Sequence, residues 1–209
     1  MSNCTHECCG QVMEVAHMQA RQRRVLVGVL VINVATFCMM AWAAWHSGSS
    51  ALWPASLDNL GDALTYAASL AVVGASALAK ARVAFFKGLL ILLAALAVAG
   101  QIAWRWLHPG LPVFEAMGLA GGLNLAANAV CLWLLTPYRH EDVNMASAWE
   151  CSRNDLFEGC AVLLAALAVW LAGAGWPDVL VASALLLVFM RSAWRVLRTA
   201  WRQMHAAAP

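Results

Sequence analysis

Apolar residues run along the chain in six windows, 25–46, 50–79, 84–107, 111–137, 145–172 and 177–200, broken by short turns such as His46-Ser-Gly-Ser, His108-Pro-Gly and Gly173-Ala-Gly-Ala. A helix rises about 1.5 Å per residue, and about 20 residues cross a hydrocarbon layer about 30 Å thick. Each window is long enough for a span, and the longer ones must tilt or run on into the headgroups. The pattern therefore predicts an all-α membrane protein with six transmembrane helices. Arg-rich residues before the first window and the small-residue site Ala41-Trp-Ala43 also fit a secretory leader. The apolar run is longer than a leader core, however, and its removal would leave five spans, so it is taken as a span. The expected organisation is a tail over 1–24, a six-helix membrane domain over 25–202 and a tail over 203–209.

Composition narrows the class. Of 209 residues 63% are hydrophobic and 11% charged, against about 25% charged in an ordinary soluble domain. A water-soluble globule is excluded. The net charge is only +2 and the basic residues are scattered, so no phosphate-tracking surface exists and nucleic acid is excluded as a partner. The basic residues instead set the orientation, because Lys and Arg near span ends stay on the cytosolic side. Arg21, Arg23 and Arg24 precede span one, and Lys80, Arg82 and Lys87 surround the second connection. Arg139 and Arg153 flank the fourth, and Arg191, Arg195, Arg198 and Arg202 close the chain, leaving only Arg105 on the other side. Six spans with both termini cytosolic satisfy that distribution. Trp45, Trp53, Trp104, Trp106, Trp176 and Trp201 lie near span ends and suit interfacial anchoring.

Candidate chemistry stands out against this background. Asp58, Asp62, Glu115, Asp155 and Glu158 lie within apolar windows, where a carboxylate near the bilayer centre costs at least about 2.5 to 3.5 kcal/mol. Asp58 and Asp62 are four apart, on one helix face about 6 Å from each other. Cys151 and Asp155 repeat the spacing in span five. Each pair lies about 15 Å along its helix, one entered from the outside and the other from the cytosol, so both arrive near the midplane. Two facing helices with two ligands each make a four-coordinate, tetrahedral site for a divalent metal such as zinc. The bland alternative is a seam of protonated, hydrogen-bonded carboxyls with Cys151 as a small buried hydrophobe.

Other polar residues leave two readings each. Asn33, Asn124 and Asn128 serve as interhelical hydrogen-bonding groups or as support for the site. Glu158 is a proton relay on the Asp155 face or a partner of Arg153. Glu115 and Asp178 line an outer vestibule or are solvated at helix ends. Seven cysteines, an odd number, do not form a disulfide framework. Cys4, His6, Cys8 and Cys9 concentrate soft ligands in the amino-terminal tail, as an accessory metal-capturing tract or as incidental thiols.

The segment Ser47-Gly-Ser-Ser-Ala-Leu-Trp-Pro-Ala-Ser-Leu-Asp58-Asn-Leu-Gly-Asp62 resembles the serine-glycine turn and [HD]-N-x-x-D motif of the cation diffusion facilitator family of divalent-metal/proton antiporters. Asn144-Met-Ala-Ser-Ala-Trp-Glu-Cys151-Ser-Arg-Asn-Asp155 resembles the family's fifth-span [HD]-x-x-x-D element, and Trp176-Pro-Asp178 with the apolar run to Arg198 resembles its sixth span. The similarity covers about residues 25 to 202. It implies that Asp58, Asp62, Cys151 and Asp155 are the transport-site ligands and that metal leaves the cytosol in exchange for protons, with a homodimer as the expected assembly. Two departures stand out. Cys151 occupies a position that is usually His or Asp, and a softer thiolate favours Cd²⁺ or Zn²⁺ over Mn²⁺ or Mg²⁺. The chain also stops shortly after span six, where typical members carry a cytosolic domain, which is expected of a short form.

The expected function is efflux of divalent heavy-metal cations of the Zn²⁺/Cd²⁺ class, without enzymatic activity or a prosthetic group. Its partners are metal, protons and membrane lipids, and its expected place is the cytoplasmic (inner) membrane of a bacterium. The alternative is a membrane metal-binding sensor or assembly partner that moves nothing. An intramembrane enzyme fits less well, since no nucleophile elbow, HExxH or phosphate loop occurs.

Overall fold

The computed structural model describes residues 20–71, 77–140 and 143–206. Within them the chain forms six helices, α1 (Ala20–Ser47), α2 (Leu52–Ala71), α3 (Ala77–Leu107), α4 (Phe114–Leu135), α5 (Val143–Ala172) and α6 (Trp176–Ala206). A 3₁₀ turn, Thr136–Tyr138, continues α4. There is no strand among the described residues, and the all-α membrane class holds. Five helices, all but α2, are long and apolar enough to cross a membrane. Their outward residues suit lipid: Val31, Leu93, Leu119, Leu164 and Leu187 are each more than half exposed, a coat that water would not tolerate.

Helix α2 is the exception for a physical reason. Asp58, Asn59, Asp62 and Thr65 lower its hydropathy, and the fold compensates by enclosing it, with no residue from Leu52 to Tyr66 exposed. Lipid therefore has little access to the polar stretch of this helix. Helix α1 packs along α2 and α4, α5 along α4, and α6 along α3. The α4–α5 contact is close because glycines form it: a Cβ at Gly121 would lie 3.0 Å from Val162, and one at Gly159 would lie 3.0 Å from Leu125. Small residues let membrane helices approach in this way.

Two placements add to the sequence expectation. Helix α1 includes Arg21, Arg23 and Arg24, ahead of the first apolar window. Ala77, counted in the second window, belongs to α3.

The buried interior is layered. One apolar core holds Met40 and Ala43 of α1, Leu52 and Ala55 of α2, Met117 and Ala120 of α4, and Val162 and Ala165 of α5. A second holds Leu26 and Val29 of α1, Tyr66 of α2, Cys131 and Leu135 of α4, and Ala148 of α5. Between them, on the same four helices, lie the buried polar residues Asn33, Thr36, Asn59, Asp62, Asn124, Asn128, Ser152 and Asp155. The polar residues thus occupy one band between two apolar slabs.

The end of the bundle that carries the α1–α2 turn, the outer end by the charge distribution, is tightly tied. Gly48 takes φ +66°, a left-handed conformation that glycine adopts without cost. Its carbonyl accepts from Arg105 Nη2 of α3 at 2.5 Å. Asp178 of α6, fully buried, accepts from Ser49 Oγ at 2.6 Å, from Ser50 N at 2.5 Å and from Ala51 N at 3.0 Å. The carboxylate thereby fixes, from another helix, the turn that leads into α2, and Ser49 Oγ, which it holds, accepts from Leu52 N at 3.3 Å. This settles the role of Asp178, which is neither solvated nor lining a vestibule. Glu115, by contrast, is exposed in the first turn of α4.

Candidate metal centre

Helix periodicity decides which of these polar residues can meet. Four residues advance a helix by about 6 Å and slightly more than one turn, so Asp58 and Asp62 share a face of α2, and Cys151 and Asp155 share one of α5. The two faces meet at Asp58 and Asp155, which line one cavity. Both acids line a cavity of about 320 Å³ together with Cys151, Asn154 and Glu158 of α5 and Phe189, Arg191, Ser192 and Arg195 of α6. Cys151 and Asp155 are buried, and Asp58 is half-buried.

Asp62 stands apart from that cavity lining. It is buried, and its Oδ2 accepts a hydrogen bond of 3.1 Å from the Tyr66 hydroxyl. Among the described residues, no three His, Cys, Asp or Glu side chains form a group able to hold a metal ion as they stand. Asp58, Cys151 and Asp155 thus share one cavity, and Asp62 lies a helical turn further along α2, held by Tyr66. A four-ligand shell would require Asp62 to turn from Tyr66 toward that cavity.

Glu158 lies on the same cavity as Asp58 and Asp155. Arg153 is on the opposite side, exposed, with its guanidinium 5.3 Å from the centre of the Trp149 ring. Of the two placements considered for Glu158, the cavity face is therefore the one adopted. Asn124 makes an interhelical contact: Asn59 Nδ2 donates to Asn124 Oδ1 at 3.0 Å and also to the Ala55 carbonyl at 3.0 Å. Thr36 Oγ1 donates to Asn59 Oδ1 at 3.1 Å, so α1, α2 and α4 are joined through one asparagine. Asn33 donates from Nδ2 to the Val29 carbonyl at 2.9 Å. The Oδ1 atoms of Asn33 and Asn128 are buried with no hydrogen-bond partner among the described residues. Cys38, Cys131, Cys151 and Cys160 are not joined in disulfides. Cys4, His6, Cys8 and Cys9 lie outside the described residues.

Several residues at this centre escaped sequence reasoning. Asn59 sits inside the quoted motif, yet its role as a bridge depends on α1 and α4. Tyr66 is four residues beyond Asp62, a spacing that could have marked it as a partner. Arg191 and Arg195 served only to orient the chain.

Residues 26–204 match the family model of the cation efflux transmembrane domain. The chain therefore belongs to the cation efflux, or cation diffusion facilitator, family of membrane transporters of divalent metal cations. No curated protein matches it.

Proposed function

We propose that the protein exports Zn²⁺- or Cd²⁺-like cations from the cytosol in exchange for protons, with Asp58, Asp62, Cys151 and Asp155 as the ligands of the transported ion. The observation that carries this reading is that Asp58 of α2 and Cys151, Asp155 and Glu158 of α5 line one cavity. Carboxyls crowded in a low-dielectric site hold protons when no cation is present. Metal ligands bind deprotonated, so loading the site expels protons.

Each residue has a distinct task in this scheme. Asp58 and Asp155 exchange protons for metal. Cys151, on the same cavity, adds the soft donor that favours Cd²⁺ and Zn²⁺ over harder cations. Asp62 completes the shell by leaving Tyr66, and Glu158 receives and passes on protons. Asn33 and Asn128, with their unpartnered oxygens, support the Asp62 layer. With both termini cytosolic, the tail residues Cys4, His6, Cys8 and Cys9 would gather metal ahead of the cavity. Alternating access requires a second shape of the bundle, whose balance with the first is biased by metal and proton occupancy.

The test is proton release. Adding CdCl₂ to detergent-solubilised protein in a weakly buffered indicator solution should liberate protons, and Asp58→Asn and Asp155→Asn should each abolish most of the release. A release unchanged in both variants would refute the assignment.

A further inference from the structure

A cavity meant for a cation carries an unexpected feature on its third wall. Helices α2 and α5 supply Asp58, Asp155 and Glu158, but α6 supplies two arginines, Arg191 and Arg195, one turn apart. Orientation alone does not account for them. Arg198 and Arg202 follow on α6, are exposed and do not line the cavity, and they meet the cytosolic charge preference without approaching the acids. Helix α6 also comes close to the acids, since a Cβ on Gly61 would lie 3.8 Å from the Phe189 ring. Arg191 follows Phe189 by about 3 Å along the axis and Arg195 by about 9 Å. Both arginines are exposed as well as cavity-lining, so each long side chain has its stem on the wall and a path toward the cytosolic end.

Carboxylates in a low-dielectric site need compensation whenever metal is absent. A guanidinium never loses its charge at accessible pH and binds carboxylates through a planar fork. Resting on the metal-binding reading above, we propose that Arg191 and Arg195 are tethered counter-cations. Without metal they compensate Asp58, Asp155 and Glu158; an entering divalent cation displaces them toward the cytosolic mouth, and they return when it leaves. They are positioning residues that weaken metal binding and speed the return of the metal-free carrier. An anionic lipid headgroup on the two arginines is less favoured, because the acids share the same cavity.

The experiment compares Cd²⁺ flux in proteoliposomes for the full chain, Arg191→Gln/Arg195→Gln and Arg191→Lys/Arg195→Lys, each checked for monodispersity by gel filtration. The Gln double variant should lower KM by about tenfold while lowering kcat, a coupling of ordinary size between sites. The Lys variant should restore both toward the starting values, which a purely structural role would not do. KM and kcat unchanged in the Gln variant, or falling activity with KM raised, would overturn the proposal. A Gln effect that vanishes in liposomes free of anionic lipid would assign the pair to a headgroup and also overturn it. Asp58→Asn measured alongside separates the two layers of inference: if it retains flux, the metal-binding reading itself fails, whatever the arginine variants do.

Discussion

Asp58 on α2 and Asp155 on α5 line one cavity, which brings acids of two helices together inside a polar band that lies between two apolar cores. Acids gathered in a low-dielectric interior are tolerated when protons or a cation offset their charge.

Replacing either acid by asparagine separates binding from folding. An amide keeps the size and polarity of the carboxyl it replaces, so stability should change by no more than about 1 kcal/mol. Affinity for Cd²⁺ should fall at least about tenfold, since one anionic ligand is gone. Thermal unfolding in detergent and equilibrium metal binding, measured on the same samples, check the two halves. A large loss of stability with affinity intact would make the pair structural.

The bridge through Asn59 predicts coupling between three helices. Asn59→Ala and Asn124→Ala should each destabilise, and a double-mutant cycle should give a coupling between about 0.6 and 1.7 kcal/mol, the average and the maximum for interhelical hydrogen bonds in membranes. Additive losses in denaturant titrations would show that the 3.0 Å contact contributes nothing specific.

Asp178 holds three donors of the α1–α2 turn. Truncating it to alanine leaves those donors buried without their acceptor, a loss of about 2 to 4 kcal/mol. The expected result is a clearly lowered Tm in detergent. A Tm equal to that of the unaltered chain would contradict the clasp.

Cys151 predicts selectivity. Its thiol lies on the cavity with Asp58 and Asp155, so Cys151→His should move the Cd²⁺-to-Zn²⁺ flux ratio toward Zn²⁺ as a borderline ligand replaces a soft one. A ratio unchanged within error would return Cys151 to the packing residues.

How much of this was legible in the sequence depends on contrast. Asp58, Asp62 and Asp155 were visible because a carboxylate in an apolar window is costly enough to need a reason, and their spacing placed them at one depth before any contact was known. Cys151 was visible only through that spacing, since a cysteine in an apolar run looks like a hydrophobe. Arg191 and Arg195 were hidden because orientation already accounted for each basic residue. Asp178 was hidden because an acid in a first helical turn suits the helix dipole by itself, and its partners lie at the far end of the chain. Nor could the sequence show that Asp62 lies off the cavity, bound to Tyr66, since shared helix face leaves a side chain's direction open.

The most direct test of the central claim is metal uptake into proteoliposomes under an imposed pH gradient, with Zn²⁺ and Cd²⁺ supplied in turn. The account predicts gradient-dependent flux of at least one of these ions for the unaltered chain and none above background for Asp58→Asn or Asp155→Asn. Flux that ignores the pH gradient, or that survives in both variants, would contradict it.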